Sequence, residues 1–158
     1  MIDSARYLAL LEEMTRQAAA LSTALMNERA AMAEYDSSRI KQRLTEKLNA
    51  LKALEDNIAQ RQSLLSQAGL TPDADGHRAL CETLKAPWLE RISSAAQLAE
   101  DAIEQCQQHN QSNAAVLQRI KKKADSIKSI IAGGDGQMLY GSKGKTQSVR
   151  VGRALGSA

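Results

Sequence analysis

Phenylalanine is absent from the 158-residue sequence, and its aromatic set amounts to one Trp and three Tyr. Without aromatic and abundant β-branched side chains, the packed faces of a sandwich or barrel have little to be built from. The apolar residues present are chiefly Leu, Ala, Ile and Met, which favour or tolerate helix, so composition points to an all-α fold. Only two prolines interrupt the chain. Two cysteines, Cys81 and Cys106, are too few for a disulfide framework and suit free thiols in a reducing cytoplasm. No run approaches the roughly 20 apolar residues of a spanning helix. The opening MIDSARYLALLEEMTRQ becomes charged before an apolar signal core can form, which leads us to expect a cytoplasmic location.

Charge is nearly balanced overall, with 21 Lys and Arg against 18 Asp and Glu, but it is unevenly distributed. From Arg119 to Ala158 nine basic residues face two acidic ones, a local net of +7, which leaves −4 on the remainder. Such an end can be drawn to nucleic acid, an acidic protein or an anionic surface. Stacking platforms and recognised binding motifs are missing, so nucleic acid is disfavoured as a partner.

Three long amphipathic segments carry the body of the chain. In the first, Tyr7, Leu11, Met14, Ala18, Leu21 and Leu25 recur at helical steps after a cap at Asp3 or Ser4, and the pattern runs to about Ala33. Asp36, Ser37 and Ser38 offer the next caps, although one unbroken helix through 33–38 is also compatible with the pattern. The second segment, about 38–67, has a stripe of Ile40, Leu44, Leu48, Leu51, Ile58 and Leu65. Gly69 and the Thr71 to Gly76 stretch stop it and turn the chain. A short leading helix at 77–85 then precedes a third long helix beginning or kinking at Pro87.

That third helix shows a sustained seam from Trp88 through Ile92, Ala95, Ala99, Ile103, Cys106, Asn110, Asn113, Leu117, Ile120, Ala124, Ile127 and Ile131. The expected architecture is an elongated antiparallel three-helix bundle with coiled-coil-like packing over residues 1–132. A Gly-rich basic tail follows over 133–158, with seven of the nine glycines, and a small hairpin of 137–140 with 147–151 is compatible with it. Asn110 and Asn113 either fix helix register or open a groove for a partner.

Chemical constellations are weak. His77 with Cys81 and Cys106 with His109 form two helix-compatible ligand pairs, but their spacing is wrong for a zinc finger. Gly144-Lys145-Thr146 resembles the end of a phosphate-binding loop, yet Leu139 stands where its first glycine belongs. No nucleophile, base and orienting group assemble. We therefore expect no enzyme activity, no cofactor, no metal and no small-molecule substrate.

The order of segments resembles that of the FlgN family of flagellar export chaperones. The resemblance is carried by Glu28, by Arg43-Leu44-Thr45-Glu46-Lys47-Leu48, and by Gln107-Gln108-His109-Asn110 leading to Leu117 and Ile120. It is strongest in Leu139-Tyr140-Gly141-Ser142-Lys143-Gly144-Lys145-Thr146-Gln147-Ser148. It implies a cytoplasmic chaperone that binds C-terminal helical parts of the hook-filament junction proteins FlgK and FlgL. Such a chaperone prevents their premature assembly and brings them to the type III export gate, meeting the membrane only through that apparatus. It also implies that Tyr140, with Leu139 and Gly141, contacts the gate component FlhA; the Ser142 to Lys145 stretch departs from the family's usual Ala-Asp-Gly-like continuation. From periodicity and charge, the expected client groove is Leu117, Ile120, Ala124, Ile127 and Ile131, rimmed by Lys121, Lys122 and Lys128. A structural coiled-coil adaptor without export activity would use the same stripe.

Overall fold

The structure is a computed structural model and describes residues 1–132 together with the strands Gln137–Tyr140 and Thr146–Val149. Four helices lie among the described residues: α1 (Ser4–Ala33), α2 (Ser37–Gln67), α3 (Ala74–Thr83) and α4 (Trp88–Ile131). The expected count of three falls short by α3, which begins three residues earlier than its hydrophobic pattern suggested. The reason is Asp73, whose carboxylate accepts from the Gly76 backbone N–H at 3.0 Å and caps the helix there.

Aspartates open α1 and α2 as well. Asp3 accepts from the Arg6 N–H, and Asp36 accepts from those of Ser38 and Arg39. The chain breaks between 33 and 38 because Tyr35 takes a left-handed backbone (φ 54°) just past the end of α1, where glycine is usual. Gly69 (φ 77°) does the same after α2, with the Leu70 N–H returning to the Leu65 carbonyl at 2.9 Å. Pro87 stands immediately before α4, and its carbonyl accepts the N–H of Arg91.

Residues Met1–Ala114 form one compact unit and Ala115–Ala158 a second. In the first unit α2 runs antiparallel to α1: Arg6 bonds Gln60, Asn57 bonds the Leu10 carbonyl, and Lys47 reaches Glu28. α4 runs parallel to α1, with Cys106 donating to the Ala18 carbonyl and Asn113 to that of Leu25. Two buried clusters fill the space between. One gathers Tyr7, Leu8, Leu11, Leu65, Leu80, Ile92 and Ala95 from all four helices. The other stacks Met14, Ala18, Leu21 and Leu25 against Leu54, Ala99 and Cys106.

The α1 stripe is buried throughout, as its periodicity indicated. The α2 stripe is covered much less. Leu65 is fully buried, but Leu44 and Leu48 remain 42% and 53% exposed, and the deeply buried α2 residues otherwise are Leu54 and Asn57. In the second unit, Gln137–Tyr140 and Thr146–Val149 pair antiparallel, Gln137 opposite Val149 and Tyr140 opposite Thr146. We name them β1 and β2; β2 starts one residue earlier and ends two residues earlier than the strand expected from sequence.

Gly76 shows how tightly α3 is seated. A Cβ added there would lie 1.8 Å from the Thr71 carbonyl oxygen, a backbone atom that cannot swing aside. We expect Gly76→Ala to destabilise the protein by about 2 kcal/mol through overpacking. Denaturant unfolding checks this, and an unchanged midpoint would refute it.

Candidate partner-binding site

Every sequence-derived groove residue lies on the last third of α4. Beyond Asn113 no described residue of that helix is buried. Leu117, Ile127 and Ile131 are 50%, 56% and 78% exposed, Ala124 is exposed, and Ile120 is half-buried. Ile130, which the seam omitted, adds a further exposed aliphatic side chain. At 100° per residue, Leu117, Ile120, Ala124, Ile127 and Ile131 share one face, flanked by Lys121 and Lys128 on one side and Lys123 on the other. Lys122 falls roughly opposite that face, so Lys123 is the better placed rim residue. The arrangement is an amphipathic ridge with cationic edges. Leu139 and Tyr140 lie on β1, whereas Gly141 lies outside the described residues.

A second feature was only half legible in sequence. Glu28, Lys47 and Asn113, from three different helices, meet in the interior of the first unit. Glu28 is 6% exposed and accepts from the Asn113 amide at 2.9 Å and from the Lys47 ammonium at 3.4 Å. The Asn113 amide also donates to the Leu25 carbonyl at 2.7 Å. Asn113 thus fixes the register of α4 against α1, whereas Asn110 is exposed. Beside this layer lies a cavity of about 220 Å³ with Leu21 and Leu25 from α1, Leu51 and Leu54 from α2, and Ile103 and Cys106 from α4 in its lining. Lys47, Gln107 and Asn110 complete its wall.

The two His/Cys pairs set aside as a metal site lie apart in the structure. His77 Nε2 approaches Cys81 Sγ at 3.6 Å, but Cys106 bonds Ala18, eleven residues and about 16 Å further along α1 than the Tyr7 that holds His77. Among the described residues no group of three or more potential ligands converges. Burial pushes the Cys106 thiol up, away from thiolate character.

His77 instead closes a hydrogen-bond chain. The Arg61 guanidinium donates to the Tyr7 oxygen at 3.1 Å, so the Tyr7 O–H is left to donate to His77 Nδ1 at 2.9 Å. Nδ1 is then unprotonated, and the Nε2–H points toward Cys81. Burial, with Arg61 adding to it and Glu100 opposing, holds the imidazole below its ordinary pKa of 6.5. In the unfolded chain the ring takes up its proton near pH 6.5, whereas the folded protein stays neutral to lower pH. Stability therefore falls as pH drops from about 6.5 toward the depressed folded value. Thermal midpoints between pH 7.5 and 5 should show this loss in the native chain and show it diminished in His77→Gln; identical pH profiles would refute the assignment.

Residues 1–132 thus form a helical body with a buried polar layer at Glu28, Lys47 and Asn113 and an exposed aliphatic ridge at the end of α4. A family model described as FlgN protein matches residues 1–148, and the chain belongs to this family of flagellar export chaperones. Comparison with curated proteins and with solved structures gave no match. No helix among the described residues is long and apolar enough to cross a membrane.

Proposed function

We propose that the protein is a cytoplasmic chaperone that captures the C-terminal helical regions of FlgK and FlgL before export, keeps them from assembling prematurely, and presents them to FlhA at the type III export gate. The observation that carries this reading is the exposed Leu117, Ile127 and Ile131 ridge on α4, in a chain of the FlgN family. A client helix laid on that ridge would remove apolar surface from water on both partners, masking the client's own polymerisation surface. Lys121, Lys123 and Lys128 favour a client with acidic flanks. Tyr140, with Leu139 and Gly141, is assigned to the gate contact.

The test is co-purification with unpolymerised FlgK and FlgL C-terminal fragments, compared with fragments lacking their terminal helices. Retention of the intact fragments alone is expected, and equal recovery of both would overturn the proposal. A structural adaptor using the same ridge for a constitutive oligomer would instead show a mass that rises with concentration.

A further inference from the structure

We propose that the first unit contains a separate docking groove, between α2 and α4 over the floor of α1, which takes an amphipathic helix bearing a carboxylate from an unassembled flagellar subunit. The proposal rests on the chaperone reading above and adds a site to it. The groove starts at the 220 Å³ cavity floored by Leu21 and Leu25, a volume suited to one or two large aliphatic side chains. From Leu51 in its wall, Leu48 and Leu44 continue the same α2 row toward the helix start, 53% and 42% exposed. The row spans about 10 Å, two turns of a helix, so its complement is a short apolar ridge and not a flat surface.

Charge selects the occupant. Among the described residues, Lys47 is the single Lys, Arg, Asp or Glu in the cavity wall. Its contacts to both Glu28 oxygens are long, at 3.4 Å, against about 2.8 Å for a tight charge-assisted bond. The Glu28 carboxylate is shared with Asn113, and the three-donor ammonium retains capacity for a second carboxylate. Around it, Arg39, Arg43 and Lys52 of α2 are held in ion pairs with Glu34 and Asp36, with Glu46 and with Asp56, so the positive charge offered at the groove is that of Lys47. An incoming helix with an acidic residue beside its apolar ridge meets both features, whereas a basic helix would place like charges together.

The test uses the full chain and the FlgK and FlgL C-terminal fragments, with affinity measured by calorimetry. Leu48→Glu adds charge to the exposed row, and Gln107→Trp sets an indole at the cavity mouth. Both positions are exposed, and unchanged thermal midpoints certify the fold. A loss of tenfold or more in affinity with each variant, together with a comparable loss when acidic residues of the fragment are changed to amides, is expected. If the native chain binds and both variants bind as tightly, the groove is overturned and the chaperone reading stands. If the native chain captures no fragment, the chaperone reading falls and the groove with it. A dimer of the native chain that Gln107→Trp dissociates would overturn the groove in favour of a second copy as occupant.

Discussion

Replacing Glu28 by alanine should lower stability by about 3 kcal/mol, because it strands a lysine and an amide at a site built around one carboxylate. Glu28 is 6% exposed, and its side chain receives Lys47 from α2 and Asn113 from α4. Deleting it leaves the Lys47 ammonium, whose side chain is only 21% exposed, without its counter-charge. It also removes one of the two acceptors of the Asn113 amide, the other being the Leu25 carbonyl. For a chain of this length the loss corresponds to a fall of roughly 6–12 °C in thermal midpoint. Glu28→Gln keeps an acceptor for Asn113 and removes only the charge, so its cost should be smaller. Glu28→Gln combined with Lys47→Met should recover part of the loss, since a buried ion pair replaced on both sides is often tolerated. If Glu28→Ala unfolds with an unchanged midpoint, the polar layer contributes nothing to holding α1, α2 and α4 in register.

That layer also shows where sequence reading succeeds and where it stops. The α1 stripe was legible because its six periodic positions are all buried, so a one-dimensional pattern and the three-dimensional environment coincide. On α2 the same kind of stripe holds only in the second half of the helix. Leu44 and Leu48 have helical spacing but are exposed and Ile40 is only half-buried, whereas Leu51, Ile58 and Leu65 pack on the core, which Leu54 and the polar Asn57 join from outside the stripe. Periodicity reports which residues share a face; it does not report whether another helix lies against it. Asn110 and Asn113 looked alike on the seam, yet one is exposed and the other is 3% exposed with two partners. Asn113 follows Cys106 by seven residues on the line of α4 that bonds α1, whereas Asn110 is turned about 60° from Asn113. Lys47 and Glu28 each stood out in the family resemblance without any sign that they touch, since nineteen residues and a helix break separate them. On α4 the terminal ridge was legible, because a seam that continues past its supports must expose its aliphatic positions, and Leu117, Ile127 and Ile131 are exposed.

The largest functional effect is expected at that ridge. Ile127→Asp together with Ile131→Asp should abolish recovery of FlgK and FlgL C-terminal fragments while leaving the helical spectrum intact. Both side chains are more than half exposed, at 56% and 78%, so the free protein loses little by the exchange. The complex loses much more. Burying one isoleucine fully is worth about 1.5–3 kcal/mol, so two anchors with these exposures remove roughly 2–4 kcal/mol before the cost of desolvating two carboxylates is counted. At 1.4 kcal/mol per tenfold, the affinity falls by about a hundredfold or more, enough to turn a stable complex into one that washes away. Charge reversal at Lys121, Lys123 and Lys128 should act differently. These residues flank the ridge in solvent, so their reversal to Glu should mainly slow association, with the effect shrinking as salt is raised. Lys122, on the opposite face of α4, serves as the internal control: Lys122→Glu should change association less than Lys123→Glu. Stopped-flow binding across a salt series reads both effects. Retained capture by the double aspartate variant would move the client off the α4 ridge altogether, whatever the lysines do.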